Sequence, residues 1–291
     1  MKILVTGASG MVGSFLVAEL ENRGHVVKEF SIEQGKNVLN KTQVSVEMQN
    51  IDVVIHLAGI IEDNNPELWL INVEGTKNVV EEAIKAQVKK VIFLSSTGVY
   101  GNNRNEINEE SKISPKNNYE KSKIAGEKIV LSHQEELEVC VVRSALILGP
   151  NNYWKGLFKL VEKKYPLPCN GKNGFQVIYV KDLVDALITV MNNGLSGETY
   201  LAAGEKGKTL NNFYEEIQNA MGMKKKVKHI PTLIALLVGK MRKMKLLTRE
   251  NVRHLSKDRK YNTEKLEKLG WSAKYSMEKA IVETIEDIKE K

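Results

Sequence analysis

The 291-residue chain has only two cysteines, Cys140 and Cys169, and they form neither a metal-ligand nor a CxxC spacing. That excludes a disulfide-stapled scaffold and points to free thiols in a reducing compartment. Long apolar runs are missing as well. The longest, Leu233 to Val238 within IPTLIALLVG, falls far short of the ~20 residues a membrane span needs, so no membrane partner is expected. The first residues, MKILVTGASG, reach glycine too soon to read as a secretory leader, and a cytoplasmic protein is the expectation. No internal repeat or low-complexity tract is visible. His25, His133, His229 and His254 share no ligand spacing, so no metal is expected, and His56 at a strand end reads as structural.

What is present is ordinary for a globular protein: 42% hydrophobic and 27% charged residues exclude a disordered chain. The length suits about two domains at roughly 150 residues each. Lys and Arg exceed Asp and Glu by 43 to 36, a net charge of +7. This excess reads as distributed along the chain; it suits a phosphate-bearing small molecule and does not demand nucleic acid.

The first half alternates short Val/Ile/Leu-rich runs with helical stretches. KILVTG, HVVKEFSI, DVVIHLAG, KKVIFLSS and EVCVVRSALIL read as strands, with helices over about 11–23, 68–87 and 119–133. Continuous apolar strands between helices indicate a parallel α/β sheet covered on both faces. PNNYWKG and PLPCNGKNG read as loops, VIYVKDLVDALITVMNN as a strand into a helix, and ETYLAAG as a further strand. The stretch IPTLIALLVGKMRKMKLL is amphipathic with a basic side. The expectation is a packed helix of a smaller domain; a lid over an apolar substrate is the sharper alternative, and membrane-surface attachment has less support. Trp69, Trp154 and Trp271 read as core or interface anchors.

Three clusters carry chemistry. Between the first strand and first helix lies Thr6-Gly7-Ala8-Ser9-Gly10-Met11-Val12-Gly13. Gly7 permits a tight turn, Gly10 lets a pyrophosphate approach the backbone, Gly13 lets helix and strand pack closely, and the free N–H groups of the helix start hold phosphate. An ordinary turn is the bland alternative. The second strand ends in Ser31 rather than the Asp or Glu that holds adenosine ribose hydroxyls. A 2′-phosphate would not be repelled there and Lys36 lies nearby, while Glu33 stands close enough to serve a ribose hydroxyl, so NAD and NADP both stay open. Tyr119 and Lys123, in YEKSK, share a helical face at i and i+4, where a cationic Lys would lower the phenol pKa from ~10 and make it an acid/base. Ser95-Ser96-Thr97 ends a strand at the side of the sheet where such folds bind ligands.

Taken together, TGASGMVG, HLAG at 56–59, Asn72 in INVEGTKN, FLSSTGVYG at 93–101, YEKSK, Arg143 in VVRSALILGP, YVKDLVDAL and LGWSAKYSMEKAI resemble, in order and over nearly the whole chain, the extended short-chain dehydrogenase/reductases of the NAD-dependent epimerase/dehydratase type. The resemblance implies a Rossmann-type doubly wound sheet formed by 1–150 with about 176–203, and a smaller, mostly helical substrate-binding domain formed by 151–175 and 204–291. It implies Tyr119 as acid/base, Lys123 on the nicotinamide ribose, and Ser96 on the reacting oxygen, with Thr97 as fallback. Gly7, Ala8, Ser9, Gly10, Met11, Val12, Ser31, Asn37, Val38, Leu57, Ala58, Gly59, Asn72 and Ser95 would line NAD or NADP beside Tyr119 and Lys123. Ser96, Thr97, Tyr119, Asn151, Phe175 and Arg253 would meet the substrate.

Family members that eliminate water carry Asp-Glu after the catalytic hydroxyl residue; here Thr97 and Gly98 follow Ser96. Those that invert two carbons carry Cys at the place of Gly98. What remains needs one hydride and one Tyr: a 4-epimerase through a keto intermediate, or a simple ketone reductase or alcohol dehydrogenase; a nucleotide-sugar 4-epimerase or 4-keto-sugar reductase is the first expectation. Phe175 stands where many nucleotide-sugar members have a diphosphate-binding Arg. That keeps open an NADPH-dependent reductase of a non-sugar carbonyl, similar to steroid or flavonol reductases. A non-catalytic NAD(P)-sensing protein is the reading from another class, although such relatives usually lack the Tyr or the Lys. The resemblance also implies a homodimer through the helices at about 68–87 and 119–133.

Overall fold

The computed structural model describes residues 1–101, 106–223, 226–241, 252 and 255–290. Six parallel strands form its central sheet: β1 (Lys2–Thr6), β2 (Val26–Phe30), β3 (Val53–His56), β4 (Lys90–Ser96), β5 (Glu138–Ser144) and, far later in the chain, the strand at Glu198–Ala202. Leu146–Leu148 is β6 and Val177–Tyr179 is β7; they pair with each other in a separate two-stranded sheet, which makes Glu198–Ala202 β8. The order β2-β1-β3-β4-β5-β8 reverses direction between β1 and β3, so a crevice opens at their carboxyl ends.

Alternate residues of each strand feed two cores, because strand side chains point to opposite faces. Leu4, Val54, Val91, Phe93, Val139 and Val141 pack against α2 (Lys41–Glu47), α3 (Thr76–Lys85) and α4 (Asn118–Leu131). Ile3, Val5, Ile55, Ile92, Cys140 and Val142 face α1 (Met11–Asn22) and α6 (Val180–Asn193), together with α5 (Asn152–Glu162) and α7 (Leu210–Ala220). Each fully buried Val, Leu or Ile contributes about 1.5–3 kcal/mol, so the sheet is a rigid base for whatever its strand ends carry. Outside the sheet, the later chain adds α8 (Thr232–Met241), α9 (Glu264–Glu267) and α10 (Met277–Glu290).

The parallel α/β architecture is that of a Rossmann-like doubly wound sheet, as expected, with differences in detail. PNNYWKG is a helix start, not a loop: Asn151 caps α5 through Trp154 N–H (3.0 Å), and Trp154, Leu157, Phe158 and Val161 form a buried face at helical spacing. EVCVVRSALIL is two strands. The helix expected over 68–87 opens with a π-helical turn at Leu70–Gly75 before α3 begins. The largest departure is α8, expected to be packed. Among its described residues only Ala235 is buried, and Leu233, Ile234, Leu237 and Met241 face outward.

Candidate active site

The loop after β1 is held too tightly for any side chain. Gly7 has φ +71°, its N–H donates to Phe30 O (2.8 Å), and a Cβ on it would lie 2.8 Å from Ala58 N. A Cβ on Gly13 would meet Gly7 O at 2.2 Å and Ala8 O at 2.6 Å. α1 then begins at Met11 with no side-chain cap and no acid in its first turn, leaving its N–H groups and positive dipole end for an anion. At the end of β2 the Ser31 hydroxyl is buried without a hydrogen-bond partner. An anion-ready helix start and an orphaned hydroxyl one strand away fit the diphosphate and adenosine ribose of a dinucleotide. Ala8 in the loop and Val12 in the first turn of α1 are buried, while Ser9 and Gly10 are exposed.

Gly13→Ala therefore has no flexible neighbour to yield. We expect a loss of about 3 kcal/mol or more in stability and failure to retain a dinucleotide, checked by thermal unfolding and native mass spectrometry. A variant that melted and bound like the wild type would contradict this geometry.

Across the crevice, Leu57 N–H donates to Thr6 O (3.1 Å) and Ala58 N–H to Thr6 Oγ1 (3.3 Å), which pins the segment after β3 against the glycine loop. Asn72, in the π turn, accepts from Ile60 N–H (2.7 Å) and donates to Ser122 Oγ (2.9 Å), while Ser122 donates to Tyr119 O (2.8 Å). A Cβ on Gly59 would lie 3.1 Å from Asn72 Oδ1 and 3.4 Å from Lys123 Nζ. Glycine loop, HLAG segment, Asn72 and α4 are thus one contiguous wall. Asn37 and Val38 follow Ser31; Val38 is buried against Gly75, and Asn37 Oδ1 accepts from Leu39 N–H (2.9 Å).

The expected reactive groups lie near the end of β4. Alternation sends Ser95 and Ser96 to opposite faces. Ser95 donates to Glu127 Oε1 (2.5 Å) in the interior, and Thr97 donates to Tyr261 OH (3.0 Å). Ser96 Oγ accepts from Gly98 N–H (3.0 Å), and its hydroxyl acts on the Tyr119 phenol as a group that favours the ionised form. Asn117 caps α4 through Glu120 N–H (2.8 Å), and Asp63 accepts from Tyr119 N–H (2.9 Å), which fixes the first turn and with it the tyrosine. Lys123 Nζ donates to Leu94 O (2.9 Å) and stands 4.9 Å from the Phe93 ring centroid.

Burial pushes the Tyr119 phenol up to about 12, with Glu120 adding to the rise and the Ser96 hydroxyl opposing it. The expectation that Lys123 holds this phenol below its usual value is therefore not met; the lysine directs a proton to Leu94 O. Burial lowers Lys123 itself to about 8, against the opposing pull of Glu127. His56 is driven down to about 3 by burial and by the Lys123 charge, and it sits neutral between Thr6 Oγ1 (2.6 Å) and Thr76 Oγ1 (3.0 Å).

A lysine whose folded pKa is depressed binds fewer protons folded than unfolded between about pH 8 and its usual value, so its contribution to stability rises with pH across that window. Lys123→Met is expected to remove this rise. It should also stabilise the protein at pH 7 by about 2 kcal/mol, the desolvation relieved less one hydrogen bond. Chemical denaturation at pH 7 and pH 9.5 checks both signs; a destabilised variant with the wild-type pH slope would refute them.

Of the expected substrate contacts, Ser96, Thr97 and Tyr119 lie together. Asn151 Nδ2 approaches Met11 Sδ (3.3 Å), at the rim of the glycine loop. Phe175 does not join them: it is fully buried, 5.0 Å from the Phe213 ring, and presents no surface to a ligand. Arg253 lies outside the described residues. Lys36, expected to assist a 2′-phosphate, is instead bound to Glu47 (2.9 Å) and Glu29 O (3.0 Å). Several supporting residues have no sequence signal of their own, among them Asp63, Ser122, Glu127 and Tyr261. Among the described residues, no group of three His, Cys, Asp or Glu is placed to hold a metal ion.

A family model described as the NAD dependent epimerase/dehydratase family matches residues 3–203. The chain is 29% identical over 248 residues to the dTDP-D-glucose 4,6-dehydratase of Dictyostelium discoideum, covering 68% of this chain and 57% of that protein. It is 28% identical over 233 residues to the sterol demethylase protein B of Methylococcus capsulatus, covering 70% of each. This chain thus spans little more than half the length of the first relative. Its fold superposes on a UDP-glucose 4-epimerase of Thermotoga maritima with a TM-score of 0.82 at 21% identity, covering 100% of this chain and 99% of the other.

Proposed function

The chain belongs to the NAD dependent epimerase/dehydratase family, and from that premise we propose that it is a nucleotide-sugar 4-epimerase or 4-keto-sugar reductase in which Tyr119 moves the proton. It is an enzyme of the extended short-chain dehydrogenase/reductase type, dependent on NAD(P). The observation that carries the finer reading is the hydroxyl pair of Ser96 and Tyr119, followed by Thr97 and Gly98 with no pair of carboxylates. A Cβ on Gly98 would already press on Glu120 Cγ at 3.2 Å, so this site has little room for an acidic side chain there. Glu120 itself is buried, taking Lys116 N–H (2.5 Å) and pairing with Lys257 (3.5 Å). With both its oxygens occupied, it does not replace the missing acid and base of an elimination.

Bound nicotinamide supplies the acceptor and donor of a hydride. Ser96 holds the reacting oxygen of the substrate; Tyr119, after passing its own phenolic proton to solvent, takes the substrate hydroxyl's proton as the carbon loses hydride and returns it when hydride comes back. Lys123 braces the cofactor side of the tyrosine. Residues 1–150 with 176–203 form the cofactor unit in this reading, and 151–175 with 204–291 the substrate unit. Pairing of two copies through α3 and α4 belongs to the same proposal. Because Lys36 is engaged by Glu47, a 2′-phosphate finds no free cation in that residue, which favours NAD.

Native mass spectrometry of freshly purified protein, followed by incubation with UDP-glucose and UDP-N-acetylglucosamine, tests this. Retained NAD(H) and interconversion at C4 are expected. An exchangeable NADPH with no sugar turnover would favour a second reading, reduction of a non-sugar carbonyl. That reading draws on the aromatic and aliphatic pocket between Tyr153, Leu157, Leu167, Phe213, Tyr214 and Leu255, and on the buried Phe175.

A further inference from the structure

Surface apolar residues are ordinary when scattered and informative when gathered on one face. α8 gathers four: Leu233 is 81% exposed, Ile234 50%, Leu237 62% and Met241 77%. At about 100° per residue they fall within a single arc of roughly 100°. Ala235, fully buried, points to the opposite side and seats the helix on the body of the protein. Lys240, exposed, lies at the edge of the apolar arc. The helix start is fixed too. Leu167 N–H donates to Lys228 O (2.7 Å), Ile230 N–H to Leu167 O (3.0 Å), and Thr232 Oγ1 to Pro168 O (3.4 Å). The outward face is therefore held in a defined direction.

The sequence flanking it carries charge of one sign. The basic excess is not distributed as it first reads: from Ile217 to Arg249 the sequence has nine Lys and Arg and not one Asp or Glu. Since the whole chain carries only +7, everything outside this segment is slightly acidic. The basic excess of the chain thus lies in the sequence immediately before, within and after α8. A second copy of the same face would meet like charge. A surface that is anionic and apolar just beneath its charge complements it on both counts.

We infer that α8 is a docking element for an anionic lipid bilayer, lying in the interface with Leu233, Ile234, Leu237 and Met241 below the headgroups and Lys240 at their level. Nothing in this requires a span, and no helix among the described residues is long and apolar enough to cross a membrane. The inference is independent of the substrate and survives either reading of the reaction.

The test is sedimentation of the full chain with vesicles of phosphatidylcholine alone and of phosphatidylcholine mixed with phosphatidylglycerol. Binding is expected on the mixed vesicles, weak on the neutral ones, and reduced by salt. Leu233→Glu/Leu237→Glu should cut the bound fraction at least about tenfold, and Lys240→Glu less. Both variants change only exposed side chains, so dinucleotide retention and the melting temperature should match the wild type. No binding to either vesicle overturns the inference. So does equal binding by wild type and the double variant, which would mean adsorption by charge alone. A dimer that the double variant dissociates, without lipid binding, also overturns it and assigns the face to a second copy.

Discussion

If the proposed reaction holds, Tyr119→Phe is expected to lower turnover of the nucleotide sugar by about 10³-fold, within the range a positioned acid/base contributes, while leaving fold and dinucleotide retention intact. The phenylalanine keeps every main-chain bond at this position, including Tyr119 N–H to Asp63 Oδ1 (2.9 Å) and Ser122 Oγ to Tyr119 O (2.8 Å). What disappears is one oxygen, whose phenol burial pushes up to about 12 against the opposing effect of Ser96. Such a phenol gives a proton reluctantly and, once ionised, is a strong base, so the loss should grow more severe for the direction that removes a proton from substrate. Steady-state rates in both directions, with native mass spectra of the same preparation, check the expectation. Full activity in the variant would exclude Tyr119 from the chemistry. A chain whose biological effect survived the change while still binding cofactor would be a sensor rather than a catalyst.

Arg143→Met should have the largest effect on stability, about 3–5 kcal/mol, seen as a fall in melting temperature on the order of 10 °C. Arg143 and Glu127 are both buried and joined by two hydrogen bonds, Nε to Oε1 (2.9 Å) and Nη2 to Oε2 (2.6 Å). Arg143 Nη1 also donates to Tyr100 OH (2.6 Å), and Glu127 accepts from Ser95. The mutual attraction holds the arginine pKa above its usual value despite burial. Taking away the cation leaves a carboxylate in the interior that, among the described residues, keeps one hydrogen bond, from Ser95, and the more distant attraction of Lys123. The double variant Arg143→Met/Glu127→Leu removes both charges and should recover most of the loss, as replaced buried pairs do. A single variant melting within a degree or so of the wild type would show that the pair contributes little. Because Glu127 is the group that supports the Lys123 charge, the double variant should also lower the lysine pKa further, which separates this effect from packing.

How much of this was legible in the sequence follows from how local each feature is. The glycine loop, the strand-to-helix alternation and the Tyr119/Lys123 spacing are encoded within a few residues, and the structure brings them to one crevice. α5 was equally local: Trp154, Leu157, Phe158 and Val161 recur at helical spacing, but the flanking Asn, Gly and Pro residues outweighed them in reading. Phe175 was not legible, because its burial depends on Phe213 and on the chain near Arg259 arriving from far along the sequence. The phenol's position above 10 has the same origin. An i, i+4 lysine predicts attraction, whereas the tertiary enclosure of both groups sets their actual values. Lys36 was visible as a nearby cation, but not its capture by Glu47. Asn72–Ser122 and Glu127–Arg143 join residues with no periodic relation, and only a fold can pair them.

The placement of β8 has a consequence for how this protein is made. β5 is buried along all but its first residue, and it is covered on one side only by a strand that emerges from the ribosome much later, after α5, β7 and α6. At about 5–20 residues per second of synthesis, the nascent sheet waits several seconds with an apolar edge unpaired, a template for the same edge on a neighbouring chain. Slower elongation over that stretch would lengthen the exposure, and an insertion there would add to it. Yield in a heterologous host should therefore depend on holdase capacity and on codon choice between residues 145 and 198 more than on the thermodynamic stability of the finished fold.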